Sequence, residues 1–322
     1  MLATSFRVGI LWSSCFLSFS DGVLTMTLPE ITEMFSTDEK CRELLERLRW
    51  PKGAECPRCK TDDVVRLNTN LKLLWCSECE YQFTVTAGTI FNDSHLPLSK
   101  WFMATLLLCE ARKGFSANQM KRTLGISYKT AWYLCHRIRA AMKDAQQPML
   151  DGTVEIDETY VGGKPRVGRP LREKDIVIGI RQRGGDVRFI HANDVKADTI
   201  YKIIADNVSE DVDVIVTDEH PTYPFAMGSK GDRHKTIRHK DQVYVRGDIH
   251  TNTVESAFSL LKRGIIGTWH RISTKHLAAY LQEMEFRFNR RNDANLFLDT
   301  LRHMITAPVL TFDNLTAERH TA

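Results

Sequence analysis

The 322-residue sequence has no hydrophobic run long enough to cross a bilayer, no strong net charge, no internal repeats and no low-complexity tract. The apolar stretch at residues 8–19 is too short, because a membrane-spanning helix needs roughly 20 residues. It resembles a signal-peptide core, but no cleavage site of small residues is evident. We therefore expect no membrane segment, and we interpret residues 1–36 as an uncertain N-terminal extension. A misplaced start codon, with Met26 or Met34 as alternative starts, explains this extension better than a targeting segment.

Charge and cysteine content narrow the class of protein. The 44 basic and 40 acidic residues leave a net charge of +4, which is too small to separate a nucleic-acid binder from an ordinary enzyme. The 43% of apolar residues are enough to give each of two or three compact units a core. Four of the eight cysteines form two close pairs and the others are scattered, which favours metal ligation in a reducing compartment such as the cytoplasm.

The two cysteine pairs have the spacing of a zinc ribbon. Cys56-Pro-Arg-Cys59 and Cys76-Ser-Glu-Cys79 form a C-x2-C-x16-C-x2-C pattern, whose thiolates can surround one Zn²⁺ tetrahedrally. Four protein ligands leave no open position for water, so the predicted zinc is structural. Short strands are predicted around the pairs, at residues 64–67, 73–75 and 81–85. With a leading helix, the ribbon is predicted to span residues 37–92.

Residues 93–147 are predicted to be helical, with the layout of a helix-turn-helix. Ser116 caps a first helix, Gly125 makes the turn and Ser127 opens a second helix. The start of the second helix would face DNA bases and phosphates, and an arginine further along would contact the DNA backbone. The predicted DNA-binding residues of this helix are Ser127, Tyr128, Lys129, Thr130 and Arg137. A plain helical hairpin within a bundle is the alternative.

The second half of the chain changes to strands. They are predicted at residues 154–161, 176–181, 187–192 and 212–217, with a helix at 197–208 before the last of them. This order predicts a mixed α/β sheet flanked by helices, two of which follow at 253–262 and 275–289. The tail after residue 292 carries little pattern beyond a short helix.

Three acidic residues in this half carry the predicted chemistry. Asp157 lies mid-strand on the polar face set by period-two alternation, and Asp218 directly follows a β-branched strand. Glu255 shares a helix face with Lys262, so the lysine can approach DNA phosphate beside a metal-bound carboxylate. Carboxylates suit two Mg²⁺ ions that clamp the attacking and leaving oxygens of a phosphodiester exchange. Without metal, mutual repulsion should raise the pKa values of these acids.

Two basic segments are further candidates for DNA contact. The glycine-rich loop at 162–174 lacks the glycine-lysine-serine/threonine order of a nucleotide-binding P-loop, and a plain solvated loop is an equal alternative. The segment at 234–240 precedes the helix of Glu255 and is better placed for substrate. The candidate contacts to the DNA backbone are Lys164, Arg166, Lys235, Arg238 and Lys240.

Four short strings form a combined signature. They are Glu155-Ile-Asp-Glu-Thr-Tyr-Val-Gly-Gly-Lys164, Thr217-Asp-Glu-His-Pro-Thr-Tyr223, His250-Thr-Asn-Thr-Val-Glu255 and Phe286-Arg-Phe-Asn-Arg-Arg291. Together they resemble the bacterial insertion-sequence transposases of the ISXO type, over residues 37–292. The resemblance implies a zinc ribbon joined to a ribonuclease-H-like DDE domain, with Asp157, Asp218 and Glu255 as catalytic acids. Members of this group can carry asparagine at the third position, so Asn252, one turn before Glu255, is the alternative ligand.

These observations predict a DNA transposase with a zinc ribbon (37–92), a helix-turn-helix region (93–147), a ribonuclease-H-like α/β domain (148–295) and a C-terminal tail (296–322). It would cut at the ends of its element and transfer the 3′-hydroxyl to target DNA. The expected metals are one structural Zn²⁺ and two Mg²⁺ or Mn²⁺ ions. The expected partners are double-stranded DNA, as terminal repeats and target, and further copies of the chain in a synaptic complex in the bacterial cytoplasm, at the nucleoid. A non-catalytic DNA-binding regulator and a metal-dependent nuclease without strand transfer are the alternatives.

Overall fold

A computed structural model describes residues 27–144, 147–162, 174–237 and 249–317. Within these ranges the helices are α1 (Leu28–Met34), α2 (Asp38–Arg49), α3 (Leu98–Glu110), α4 (Ala117–Leu124), α5 (Tyr128–Ala141), α6 (Ala197–Asn207), α7 (Tyr223–Ala226), α8 (Asn252–Gly264), α9 (Thr274–Asn289), α10 (Leu296–Thr306) and α11 (Phe312–Thr316). The strands are β1 (Val64–Arg66), β2 (Leu74–Cys76), β3 (Gln82–Phe83), β4 (Thr153–Val161), β5 (Asp175–Gln182), β6 (Val187–Ala192), β7 (Val214–Thr217) and β8 (His234–Thr236). None of the described helices is long and apolar enough to cross a membrane.

Capping residues define the ends of α4 and α5. Ser116 accepts a hydrogen bond from the Gln119 N–H at 3.2 Å, and the Gln119 side chain accepts one from the Ser116 N–H, which is a capping box. Gly125 ends α4 with a left-handed φ of +61°, and Ser127 caps α5 by accepting from the Thr130 N–H at 3.1 Å. Two helices and a glycine turn therefore form where the sequence predicted them.

The core around these helices contains segments from both halves of the chain. Ile31 of α1 is buried there, and α10 contributes Phe297 and Leu301 while packing on α2, α3 and α5. The sequence had assigned these residues to an extension (1–36) and a tail (296–322). In the structure their apolar side chains complete the core of the helical unit, which comprises α1 to α5 and α10.

A small antiparallel sheet, in the order β1-β2-β3, lies between α2 and α3 in the chain. Leu74 of β2 and Phe83 of β3 are opposite each other, and they are buried together with two of the paired cysteines. Arg66 of β1 forms an ion pair of 2.6 Å with Glu46 of α2. Because this unit has so few buried apolar residues, a bound metal would supply most of its folding free energy.

The second half folds into a five-stranded sheet in the order β6-β5-β4-β7-β8, with helices on both faces. Strands β4, β5 and β6 are antiparallel neighbours, whereas β7 is parallel to β4 and β8 is parallel to β7. Ile156 and Ile178 pack with α6 and α7, while Val177 and Phe189 pack with α8 and α9. A small three-stranded sheet followed by a mixed α/β unit confirms the coarse fold prediction, and the mixed sheet flanked by helices is consistent with a ribonuclease-H-like fold.

Helix α8 lies close to the sheet at Gly179 of β5. A β-carbon at this position would lie 2.5 Å from the Phe258 ring and 3.1 Å from a Val254 methyl group. Real β-carbons do not approach other atoms as closely as 2.5 Å, so glycine is required for α8 to sit at this depth. Gly179 therefore sets the height of α8 above β4 and β5.

A buried ion triad joins the helical unit to the α/β unit. Glu283 of α9 is fully buried and accepts hydrogen bonds from Arg139 of α5 at 2.5 Å and from Arg287 at 2.9 Å. The Arg139 guanidinium also lies 4.0 Å from the centroid of the Tyr280 ring. Buried charges are tolerated in this arrangement because each one is paired and hydrogen bonded. The triad fixes α5 against the domain that carries the predicted acids.

Candidate active site and zinc centre

The four paired cysteines lie in two turns with the same backbone geometry. The Lys60 N–H donates to the Cys56 carbonyl at 3.0 Å, and the Glu80 N–H donates to the Cys76 carbonyl at 3.0 Å. Lys60 and Glu80 both adopt left-handed backbone angles, with φ of +67° and +55°. Each turn encloses one C-x2-C pair. The two equivalent turns therefore each direct two thiols toward the same point between them.

The sulfur atoms are spaced for one tetrahedral metal ion. The Sγ atoms of Cys56 and Cys79 are 3.6 Å apart, those of Cys59 and Cys76 are 3.4 Å apart, and all four lie within 4.8 Å of one another. Zn–S bonds of about 2.3 Å in a tetrahedron give sulfur separations of about 3.8 Å. The four residues therefore fit zinc, and four thiolates that leave no open coordination position indicate a structural zinc site.

The two predicted aspartates meet because β4 and β7 run parallel. Glu155 of β4 pairs with Val216 of β7, and Asp157 and Asp218 come two residues further along these two segments. Asp218 lies just past the end of β7, while β4 continues beside it. One carboxylate oxygen of each aspartate and one of Glu158 lie within 4.8 Å of one another. The sheet therefore carries a group of three carboxylates where β7 ends.

The charge of Asp157 is disfavoured by its surroundings. Burial, followed by the charge of Glu158 and then those of Asp218 and Glu255, raises the pKa of Asp157 to about 7. A hydrogen bond of 2.8 Å from the Glu158 N–H opposes this rise. The predicted direction of the shift is confirmed for Asp157, although burial outweighs the repulsion that the sequence suggested. A divalent cation would offset this repulsion, and carboxylate oxygens are the donors that such hard cations prefer.

Glu158 is the member of this group that sequence reasoning missed. Alternation along a strand directs its side chain to the face opposite Asp157, which argued against including it. It accepts a hydrogen bond of 2.6 Å from the hydroxyl of Tyr223, which is buried in α7. The available signal was the direct succession of two acidic residues in a strand. Asp218 is held separately, because its Oδ1 accepts from the His220 N–H at 3.0 Å.

The third predicted acid lies on the first turn of α8. Glu255 is exposed, accepts a hydrogen bond of 2.9 Å from Thr251 Oγ1, and is one of the charges that raise the pKa of Asp157. Among the described residues, it stands outside the group of three whose oxygens lie within 4.8 Å of one another. Asn252 and Lys262 are also exposed on α8. Glu255 as the third ligand, with Asn252 as the alternative, stays a prediction.

The predicted DNA-contacting residues at the start of α5 are exposed, namely Ser127, Tyr128, Lys129 and Thr130. The Lys129 ammonium lies 4.5 Å from the centroid of the Phe312 ring of α11. Exposure at a helix N-terminus suits contact with phosphate, and the DNA contact of these residues stays a prediction. Lys235 of β8 is exposed as well. The other four predicted contacts, Lys164, Arg166, Arg238 and Lys240, lie outside the described residues.

Arg137 does not fit the DNA contact predicted for it. Its side chain is 3% exposed, donates to the Asn92 carbonyl at 2.6 Å and lies over the rings of Trp101 and Tyr133. Beyond its first turn α5 is covered by α3, α9 and α10, which helix periodicity alone did not reveal. A guanidinium enclosed in this way cannot reach a phosphate, so the prediction for Arg137 is corrected to a packing role.

Comparison with known proteins gives matches over both the cysteine cluster and the acidic group. The family model described as ISXO2-like transposase domain matches residues 149–289, and the one described as transposase zinc-ribbon domain matches residues 36–82. The chain is also 30% identical over 275 residues to an uncharacterised protein in transposable element ISH50 of Halobacterium salinarum. That alignment covers 79% of this chain and 91% of the relative. The first match contains the acidic residues, and the second contains all four paired cysteines.

Proposed function

Because the chain belongs to the family of ISXO2-like transposases, we propose that it binds the terminal repeats of its own insertion sequence, cuts the DNA there and joins the 3′-hydroxyl to target DNA. The parallel register of β4 and β7 carries this proposal, since it brings Asp157 and Asp218 together beside Glu158. Carboxylates grouped in this way suit divalent metal ions, and such ions support in-line displacement at phosphorus.

Asp157, Asp218 and Glu255 are the proposed catalytic acids, with Asn252 as the alternative to Glu255. Two Mg²⁺ or Mn²⁺ ions, when bound, would supply charge stabilisation for the attacking and leaving oxygens. The task of the chain is to hold the ligands in place. Strand β4 positions Asp157, the end of β7 positions Asp218, and the hydroxyl of Thr251 orients Glu255 through its 2.9 Å hydrogen bond.

Lys262 is proposed to hold a DNA phosphate beside the acids. It follows Glu255 by nearly two turns of α8, a rise of about 10 Å, and both side chains are exposed. A lysine ammonium is a compact point charge with three donors, which suits the non-bridging oxygens of a phosphodiester. Lys262 would thereby place the DNA backbone without taking part in proton transfer.

The start of α5 is proposed to recognise the terminal repeats, as the second helix of a helix-turn-helix. The residues Ser127, Tyr128, Lys129 and Thr130 are exposed at the positive end of the helix dipole, which favours phosphate. Lys235 pairs with Val216 in the sheet, two residues before Asp218, and is proposed to contact DNA near the acids. The buried Arg139–Glu283 pair would keep a bound repeat in a constant orientation relative to them.

We propose one structural Zn²⁺ in the ribbon (37–92), the helix-turn-helix at 93–147 joined by α10, and the catalytic domain at 148–295. Because two element ends must be held together, the active form is proposed to be a homo-oligomer in a synaptic complex. Its place of action would be the cytoplasm, at the nucleoid.

The test is strand transfer of a labelled terminal-repeat duplex into plasmid DNA with Mg²⁺ or Mn²⁺. Wild-type protein is compared with Asp157→Asn, Glu255→Gln and Asn252→Ala. We expect joined product from the wild type and none from Asp157→Asn, which should still bind the duplex. Loss of product in Glu255→Gln but not in Asn252→Ala identifies Glu255 as the third ligand, and the reverse identifies Asn252.

Two outcomes would contradict the proposed function. Wild-type protein that cuts the duplex but never joins it would be a metal-dependent nuclease. Wild-type protein that binds the duplex and leaves it intact in both metals would be a DNA-binding regulator.

A further inference from the structure

A fully buried glutamate lies two residues before Asp157 on β4. Glu155 is 0% exposed, and its Oε2 accepts hydrogen bonds from the backbone N–H groups of Thr253 and Val254 at 2.9 and 3.1 Å. These two N–H groups belong to the first turn of α8. The strand that carries the first acid is therefore hydrogen bonded, through a side chain, to the helix that carries the third.

Within the described part of the chain, the start of α8 receives its side-chain acceptor from another element. Thr251, the residue before the helix, makes no side-chain cap hydrogen bond, and its hydroxyl donates to Glu255 instead. The first N–H groups of a helix need acceptors from outside the helix, and the positive end of the helix dipole favours a carboxylate. Glu155 meets both requirements from a different element of the fold, so β4 provides the cap of α8.

The second carboxylate oxygen of Glu155, Oε1, contacts basic side chains. Oε1 accepts from Arg183 Nε at 2.9 Å and lies 3.3 Å from His250 Nδ1, and the Arg183 guanidinium also donates to the His250 carbonyl at 3.1 Å. A carboxylate this deeply buried is stable only when it is paired and hydrogen bonded. Arg181 of β5 donates to the Thr253 carbonyl. These contacts tie β4, β5 and the turn after β5 to the segment that enters α8.

We propose that Glu155 is a positioning residue that sets the distance between Asp157 and the third metal ligand on α8. Glu155 and Asp157 share one face of β4, roughly 7 Å apart along the strand. The first turn of α8 carries both Asn252 and Glu255, so the cap fixes whichever of them binds the metal. Without the cap, the first turn of α8 can shift relative to β4 and the metal site loses affinity. This inference rests on the proposed function, because it presupposes that Asp157 and a residue of α8 bind the same metal ions.

The experiment compares Glu155→Gln with Glu283→Gln in the full-length protein. Glu283 is a matched control, because it is equally buried and paired with two arginines but contacts α5 and α9. Both variants lose a buried carboxylate and should melt at a lower temperature, so all measurements are made well below both transitions. The readouts are Mn²⁺ binding by calorimetry without DNA, amide hydrogen exchange over residues 252–258, and the Mg²⁺ concentration that gives half-maximal DNA cleavage.

We expect Glu155→Gln to weaken Mn²⁺ binding and to raise the Mg²⁺ requirement by about 10- to 100-fold, as when groups that orient metal ligands are removed. The first turn of α8 should also exchange faster. Glu283→Gln should keep the wild-type Mn²⁺ affinity and the wild-type exchange rate of residues 252–258, the two measurements made without DNA. Unchanged Mn²⁺ affinity in Glu155→Gln, or an equal shift in both variants, would overturn the proposal. Wild-type protein that binds Mn²⁺ but neither cuts nor joins DNA would refute the proposed function alone, since the first two readouts still report on Glu155.

Discussion

The zinc centre and the acid group differ in how the chain assembles them. The zinc ligands all lie between Cys56 and Cys79, where two equivalent turns direct the thiols inward. The acids lie between Asp157 and Glu255, and they depend on the register of two strands and on the packing of α8. A site of the first kind is damaged mainly through its own ligands. A site of the second kind is also impaired by substitution of residues that are not ligands. The following variants test this difference.

The largest effect is expected from Cys76→Ser. Loss of one ligand should abolish stoichiometric zinc binding and unfold the ribbon, because metal binding supplies on the order of 10 kcal/mol in such modules. The five-stranded sheet should stay protected, since its two cores contain no residue of the ribbon. Metal analysis and amide hydrogen exchange of residues 56–85 against 154–192 measure both effects. A ribbon that keeps its protection without zinc would contradict the assignment of its stability to the metal.

Asp157→Asn should have the next largest effect, and it should affect the acid group but not the zinc centre. We expect strand cleavage to slow by at least about a thousandfold, equivalent to about 4 kcal/mol of transition-state stabilisation. Zinc content should not change. Because burial and neighbouring carboxylates disfavour the charge of Asp157, the neutral asparagine should not lower the melting temperature of the metal-free protein. Single-turnover cleavage and calorimetry measure the two quantities, and a variant that cuts at the wild-type rate would exclude Asp157 as a ligand.

Gly179→Ala tests whether packing alone can damage the acid site. The added β-carbon would meet the Phe258 ring at 2.5 Å and force α8 away from the sheet. We expect the free energy of unfolding to fall by about 1–3 kcal/mol and cleavage to slow. Gly231→Ala is the control, because nothing lies within 4 Å of its added β-carbon. Denaturant unfolding and cleavage rates are compared, and an equal response of the two variants would mean that the depth of α8 is unimportant.

The smallest effect is expected from Lys129→Ala at the start of α5. Loss of one phosphate contact should weaken binding of the terminal repeats and lower the slope of log affinity against log salt by about one. Both metal sites should be unaffected. Lys196→Ala is the control, since Lys196 is an exposed lysine before α6, in the α/β unit. Fluorescence anisotropy at several salt concentrations measures the slope, and an unchanged slope for Lys129→Ala would remove this residue from the DNA interface.

The zinc centre was easier to predict from the sequence than the acid group, because it is built from local turns. Cysteine spacing was sufficient for the zinc cluster, because its geometry depends on short turns. Strand alternation and a position after a buried strand pointed to Asp157 and Asp218, and the parallel register that brings them together is a property of the whole sheet. Glu158 was missed because alternation describes one strand at a time and takes no account of the neighbouring β7.

Errors arose where burial depends on distant segments. Arg137 has the charge of a DNA contact, and only the packing of α3, α9 and α10 around α5 encloses it. The role of Glu155 was equally invisible, because its partners on α8 lie about a hundred residues further along the chain. The segment of α10 was interpreted as a tail because its apolar face has no partner nearby in the sequence. The helices against which it packs lie much earlier in the chain.

The placement of α10 has a consequence for the timing of synthesis. Phe297 packs against Phe102 of α3, so the helical unit is closed by a segment that is translated well after α3. At ordinary translation rates the stretch from α5 to α10 takes roughly 8 to 30 s to make, and during this time the part of α3 that α10 covers is exposed. A nascent or prematurely terminated chain therefore exposes apolar surface in the unit that is proposed to bind DNA. Binding of element ends, as proposed for α5, would then require a chain that extends through α10.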